Sequence, residues 1–172
     1  MFLVPFTGDL IFGGYTSSRP FIGYFNNADD LYGTVWLNKY ASDNSTGIAM
    51  FAVLDLTFLQ ATNQIYALMR SLSTANPTYN LITSIERSEG KPIQTWYFAG
   101  ILINTITMKS QILVSETNQR IIVLLQTVQK QYIVILNSGL TSIVSQYSPS
   151  QNLQFRCISN IRASDQKFVA GG

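Results

Sequence analysis

Hydrophobic residues along this chain recur mostly at every second position, the period of a half-buried strand, and in one stretch at every third or fourth. That stretch is residues 55–73, DLTFLQATNQIYALMRSLS. Phe58, Ala61, Ile65, Leu68, Met69 and Leu72 fall on one face of a 3.6-residue helix, so the spacing predicts an amphipathic helix packed on a β core. Thr57 with Gln60 forms a candidate capping box, with Asp55 an equally good cap. Ser73, Thr74, Ala75, Asn76 and Pro77 stop it, because proline lacks a donor and pushes its predecessor out of helical space.

The remaining segments read as strands and turns. Residues 2–12 form a strand that Pro5 and Gly8 interrupt or confine to an edge, and Gly13, Gly14, Ser17, Ser18 and Pro20 make a loop. Residues 21–25 and 31–37 pair as a hairpin around Asn26, Asn27, Ala28, Asp29 and Asp30. Residues 38–47, NKYASDNSTG, are the most polar continuous stretch, and 48–54 are a strand entering the helix. Tyr79, Leu81 and Ile85 alternate along the next strand, which turns through Ser88, Glu89, Gly90 and Lys91 into a run from Ile93 to Ser110, bent at Ala99 and Gly100. After a turn at 116–119, residues 120–136 read as one extended run longer than a compact domain of this size, which must bend or reach beyond its own subunit. Residues 141–147 and 153–161 add two strands, and the tail from Arg162 is extended. No internal repeat of fixed period is evident. The fold class expected is mainly β: an antiparallel β-barrel or β-sandwich-like sheet with one helix at about 55–73. The 172 residues suit a single domain, with a C-terminal extension from about 137.

Composition narrows the function. Hydrophobic residues make up 47% and charged residues 12%, about half the charged share of an ordinary soluble domain, and the net charge is only +2. Ser, Thr, Asn and Gln therefore fill the surface, and a weakly charged surface is better suited to contacts with copies of the same chain than to charge repulsion. The 11 Lys and Arg residues form no basic stripe for nucleic-acid phosphates. The apolar N-terminus has no positive leader region and is too short to span a bilayer, so neither signal peptide nor membrane insertion is expected.

Chemistry is scarce. There is no histidine and one cysteine, which excludes His/Cys zinc sites, histidine-based triads and an intrachain disulfide. Cys157 shares an alternation face with Leu153, Phe155 and Ile161 and reads as a buried structural thiol. The nine carboxylates sit at turns, at the helix cap, near the N-terminus and in the tail; Asp29 and Asp30 lack the further oxygen ligands of a calcium loop. No nucleophile elbow, P-loop or dinucleotide fingerprint is present. No catalytic residue, cofactor or metal is expected, and the chain reads as a non-enzyme.

The order of elements carries a resemblance. A strand feeding one helix, FAVLDLTFLQATNQIYALMRSL, then a hairpin, TYNLITSIERSEGKPIQTWYFAGILINTITMKS, then RIIVLLQTVQKQYIVI, resembles the core of the Hcp family, the tube proteins of type VI secretion systems, and of contractile-phage tail-tube proteins, over residues 48–136. The N-terminal 47 residues and the 36 after Leu136 depart from that pattern. The resemblance implies subunits joined into six-membered rings that stack as a hollow tube for effectors or DNA. It implies copies of itself as partners, with sheath, baseplate or spike proteins besides. It also implies assembly in the bacterial cytoplasm before secretion or incorporation in a virion or injection particle. The loop 38–47 would be the arm contacting the neighbouring ring, giving Asn38, Lys39, Tyr40, Asp43 and Asn44, with Arg120 and Lys130 on a strand surface, as subunit-interface residues. Another filament, coat or capsid-like subunit, and a monomeric ligand-binding β-barrel, are the alternatives.

Overall fold

The computed structural model describes residues 1–4, 7–16, 19–27, 33–40, 50–71, 79–102, 110–126, 130–149, 155–162 and 167–171. The chain is built from antiparallel strands arranged as consecutive meanders, each sheet formed by neighbours in sequence. The first sheet holds β1 (Phe2–Leu3), β2 (Leu10–Thr16), β3 (Arg19–Asn26) and β4 (Gly33–Lys39) in that order. The second holds β5 (Met50–Leu59), β6 (Gln64–Ser71), β7 (Tyr79–Glu86) and β8 (Pro92–Leu102). The third holds β9 (Gln111–Ser115), β10 (Arg120–Gln126), β11 (Gln131–Asn137) and β12 (Ile143–Tyr147); β13 (Cys157–Arg162) and β14 (Lys167–Gly171) form a two-stranded fourth.

The sheets stack face to face, and three apolar clusters lie between successive layers. Val4, Ile11, Ile22, Tyr24 and Trp36 of the first sheet meet Leu56, Phe58, Ile65, Met69 and Leu81 of the second. Tyr66, Leu68, Ile82 and Phe98 from the second sheet's opposite face meet Ile121, Val123, Leu125 and Val134 of the third. Ile122, Leu124 and Ile133, on the far face of the third sheet, meet Ile158 of the fourth. The sheets meet mainly through their early strands: β5 lies against β2 and β3 and more lightly against β1, β9 lies against β5 and β6, and β13 lies against β9. The first strands begin at Phe2, Met50, Gln111 and Cys157, at unequal intervals, which is why no fixed period appears in the sequence.

The structure corrects several expectations. The described residues of 55–73, up to Ser71, form no α-helix: residues to Leu59 belong to β5, Gln60–Thr62 make one 3-10 turn, and Asn63, at a left-handed φ of 54°, turns the chain into β6. Thr57, expected as a helix cap, is buried inside β5, Ala61 is exposed on the turn, and Leu72 and the stop signal at 73–77 lie outside the described residues. The physical reason is burial on both faces of β6. Ile65, Ala67 and Met69 enter the first cluster while Tyr66 and Leu68 enter the second, all at 0% exposure. A strand covered on both sides reads as a continuous apolar run, and such a run contains helical spacings by default.

The run 120–136 is a hairpin, with Gln126 opposite Gln131, so it bends rather than leaving the subunit. Gly13 and Gly14, expected in a loop, continue β2. Cys157 is exposed, not buried, because Ile158 is the residue of β13 that faces the third sheet. The described strands form stacked open sheets rather than a closed barrel.

Other expectations match the observed positions. The turn after Glu86 joins β7 to β8, the turn at 116–119 joins β9 to β10, and Ala99 and Gly100 lie where the β7–β8 register slips between Tyr79 and Leu81.

Candidate interaction surface

The most concentrated polar chemistry joins the first two sheets. Asp9 precedes β2 and is 2% exposed. Its carboxylate accepts hydrogen bonds from the Tyr24 hydroxyl at 2.7 Å and the Asn27 N–H at 3.1 Å, and pairs with the Arg87 guanidinium. Arg87, in the β7–β8 turn, also donates to the Tyr24 hydroxyl at 2.8 Å and to Asn63 Oδ1 at 3.1 Å, and lies 5.2 Å from the Tyr24 ring centroid. Trp36 donates to the Arg87 carbonyl at 2.7 Å. Burial pushes the Asp9 carboxyl upward, but the hydrogen bonds from Tyr24, Asn27 and Thr7 and the Arg87 charge outweigh it and hold it below its ordinary value. Burial, then the hydrogen bond to Asp9, raises the Tyr24 hydroxyl. Every acceptor of this buried carboxylate is spent within the fold, so the cluster is a clamp between sheets.

Carboxylates and glutamines fasten the later layers in the same manner. Asp55 accepts the N–H of Leu56 at 2.9 Å and of Ile112 at 3.0 Å, tying β5 to β9; burial raises its carboxyl despite both bonds. Glu116 accepts the N–H groups of Gln60 and Ala61, closing the 3-10 turn from the third sheet. Gln111 accepts the Ile158 N–H at 2.8 Å, Gln126 donates to the Phe155 carbonyl at 2.7 Å, and Gln131 donates to that carbonyl at 2.8 Å while accepting the Phe155 N–H. Gln126 and Gln131 thus hold the fourth layer in place. A glutamine side chain supplies one donor and one acceptor group, the same pair that a neighbouring strand would offer.

The surface that stands out is β12. All five of its residues are exposed, with Ile143 at 43%, Val144 at 48% and Tyr147 at 53%. Its sequence IVSQY carries no charge and no proline, and no described strand pairs with its outer edge. Edge strands are commonly blunted by lysine, proline or a covering element, and this one has none of these within its length.

The interface residues expected from sequence fall in different places. Asn38 ends up against the β7–β8 turn, donating to the carbonyls of Glu89 and Gly90 at 3.0 and 2.9 Å. Tyr40 is buried and donates to the Gly90 carbonyl at 2.8 Å, its hydroxyl pushed far up by burial. Lys39 is exposed on β4, while Asp43 and Asn44 lie outside the described residues. Arg120 begins β10 opposite Ser115 and Asn137, and Lys130 is exposed before β11. The structure thus brings Asn38 and Tyr40 together on one turn and leaves Arg120 and Lys130 apart from them. Asp9 and Arg87 were missed because their 78-residue separation hides their pairing; an acid inside the apolar run MFLVPFTGDLIF was the available signal.

Among the described residues no group of three or more His, Cys, Asp or Glu could hold a metal ion, and no helix is long and apolar enough to cross a membrane. No protein-family model, curated protein or solved structure matches this chain.

Proposed function

We propose that this chain is a non-catalytic structural subunit that assembles with copies of itself through strand edges. The observation that carries the reading is β12, an uncharged strand exposed at every position and unpaired along its outer edge among the described residues. An open edge of this kind costs solubility unless another strand covers it. A chain with 12% charged residues has little electrostatic repulsion to keep copies apart. The polar clusters fit the same reading, since each is consumed in holding layers together. Ring and tube forms belong to the family resemblance, whose helix is replaced by the β5–β6 hairpin; assembly through edges stands without them.

Size-exclusion chromatography with light scattering over a broad concentration range, followed by negative-stain microscopy, tests the proposal. Mass rising with concentration and particles of repeating subunits are expected. A monomer at every concentration overturns it.

A further inference from the structure

The first sheet packs on the second through one face, which carries Ile11, Ile22, Tyr24 and Trp36. Side chains alternate along a strand and directly opposite residues share a face, so Leu3 with Leu10, Leu10 with Phe25, Phe12 with Gly23, Gly23 with Leu37 and Gly14 with Phe21 lie on the other. That outer face is apolar. None of Leu3, Leu10, Phe12, Phe21, Phe25 and Leu37 belongs to or packs on any of the three clusters between layers. Leu3 is 60% exposed and Leu37 53%.

The rings on this face touch one another. Phe12 stacks on Phe25 with centroids 4.9 Å apart and meets Phe21 edge-on at 6.1 Å. Phe12 also reaches over Gly23, where a Cβ would collide with its ring, and Phe21 reaches over Gly14. Glycine at these two positions lets the rings lean across neighbouring strands, which keeps the face low enough for another sheet to lie on it. Lys39 and Arg19, opposite Phe21 and Thr16, place the face's positive charges together at one end.

An apolar sheet face is covered by another apolar sheet face, as at the three contacts between layers in this chain. The second and third sheets have both faces occupied. The outer face of the fourth carries Cys157, Ser159, Val169 and Gly171, all small. Among the described sheets the complementary surface that a second copy offers is therefore this same face. Area points the same way: four strands about 4.8 Å apart and about seven residues long give roughly 400 Å² in plan. With side-chain relief, two such faces hide about 1,000 Å², the size at which an interface becomes specific.

Resting on the reading that copies of this chain associate, we infer that the first sheets of two copies pack outer face to outer face about a two-fold axis that crosses the strands. The axis sends the two Lys39 and Arg19 ends to opposite sides of the dimer, where they stay in water. One surface meets itself, so the contact closes at two. It is separate from the β12 edge, through which such dimers would join into larger assemblies.

Sedimentation equilibrium over a broad concentration range tests this, with thermal melts to show that each variant folds. Val144→Lys, which charges β12, is expected to leave association that stops at the dimer. Adding Leu37→Lys or Leu3→Lys is expected to weaken that dimer about tenfold, since either brings an ammonium against apolar side chains. A Val144→Lys chain that is monomeric throughout or grows past two, or a dimer indifferent to both added lysines, overturns the face-to-face contact. If the native chain still associates, the self-assembly reading stands without it. A native chain that is monomeric at every concentration overturns both.

Discussion

At the scale of single residues, the buried groups behave as fasteners with opposite pH signatures. Asp9 has a carboxyl held below its ordinary value of 3.8, so its contribution is complete above that value and is lost as pH falls through and beneath it. Asp55 is shifted the other way by burial: its protonated form favours the fold, and that contribution is lost as pH rises from 3.8 through the raised value. Urea midpoints measured below pH 4 are expected to fall in the native chain and to fall less in Asp9→Asn. Arg87→Ala leaves Asp9 buried without its cation and is expected to cost about 3 kcal/mol, the lower end for a broken buried pair because Arg87 keeps a quarter of its side chain in water. Gly90 has a φ of +70°, and a Cβ there would lie 2.4 Å from Asn38 Nδ2 and 2.6 Å from the Trp36 ring. Gly90→Ala is therefore expected to cost about 1–3 kcal/mol from the left-handed backbone alone, with more from displacing those side chains. A thermal melt reads this directly.

At the scale of elements, β6 and β12 are opposite cases of the same rule. β6 is covered on both faces, and Leu68→Ala is expected to cost about 2–5 kcal/mol as a cavity between the second and third sheets. The far-UV circular dichroism of the native chain should be of strand type, and a helical signal comparable to a 19-residue helix (residues 55–73) would contradict the assignment. β12 is exposed at all five positions, with the Tyr147 ring 6.4 Å from that of Phe155, so Val144→Lys leaves the monomer's stability nearly unchanged. Its effect is expected on association, as a fall in oligomer mass at fixed concentration.

At the scale of the whole molecule, stability is distributed through layers with separate cores. Among the described residues, a small apolar cluster and the side chains of Gln111, Gln126 and Gln131 fasten the fourth layer. Gln131→Ala removes two of the three side-chain bonds that hold the Phe155 backbone, leaving the one from Gln126. Hydrogen exchange in β13 and β14 is then expected to quicken while β5, β6 and β7 keep their protection, since local opening follows the weakest packing.

The alternation of apolar residues, the turn chemistry after Glu86 and at 116–119, and the missing histidines made the β class, several strand boundaries and the excluded chemistries legible in the sequence. These are local properties, fixed by side-chain period and residue type. Tertiary structure decided the rest. Residues 64–71 are a strand because two other sheets cover them, and apolar spacing alone does not distinguish a doubly buried strand from a helix. Cys157 faces outward because the register of β13 turns Ile158 inward. Asp9 finds Arg87, Gln131 finds Phe155, and β12 is left bare only once the layers are stacked, because each depends on which strand lies opposite, a long-range pairing that no local pattern encodes.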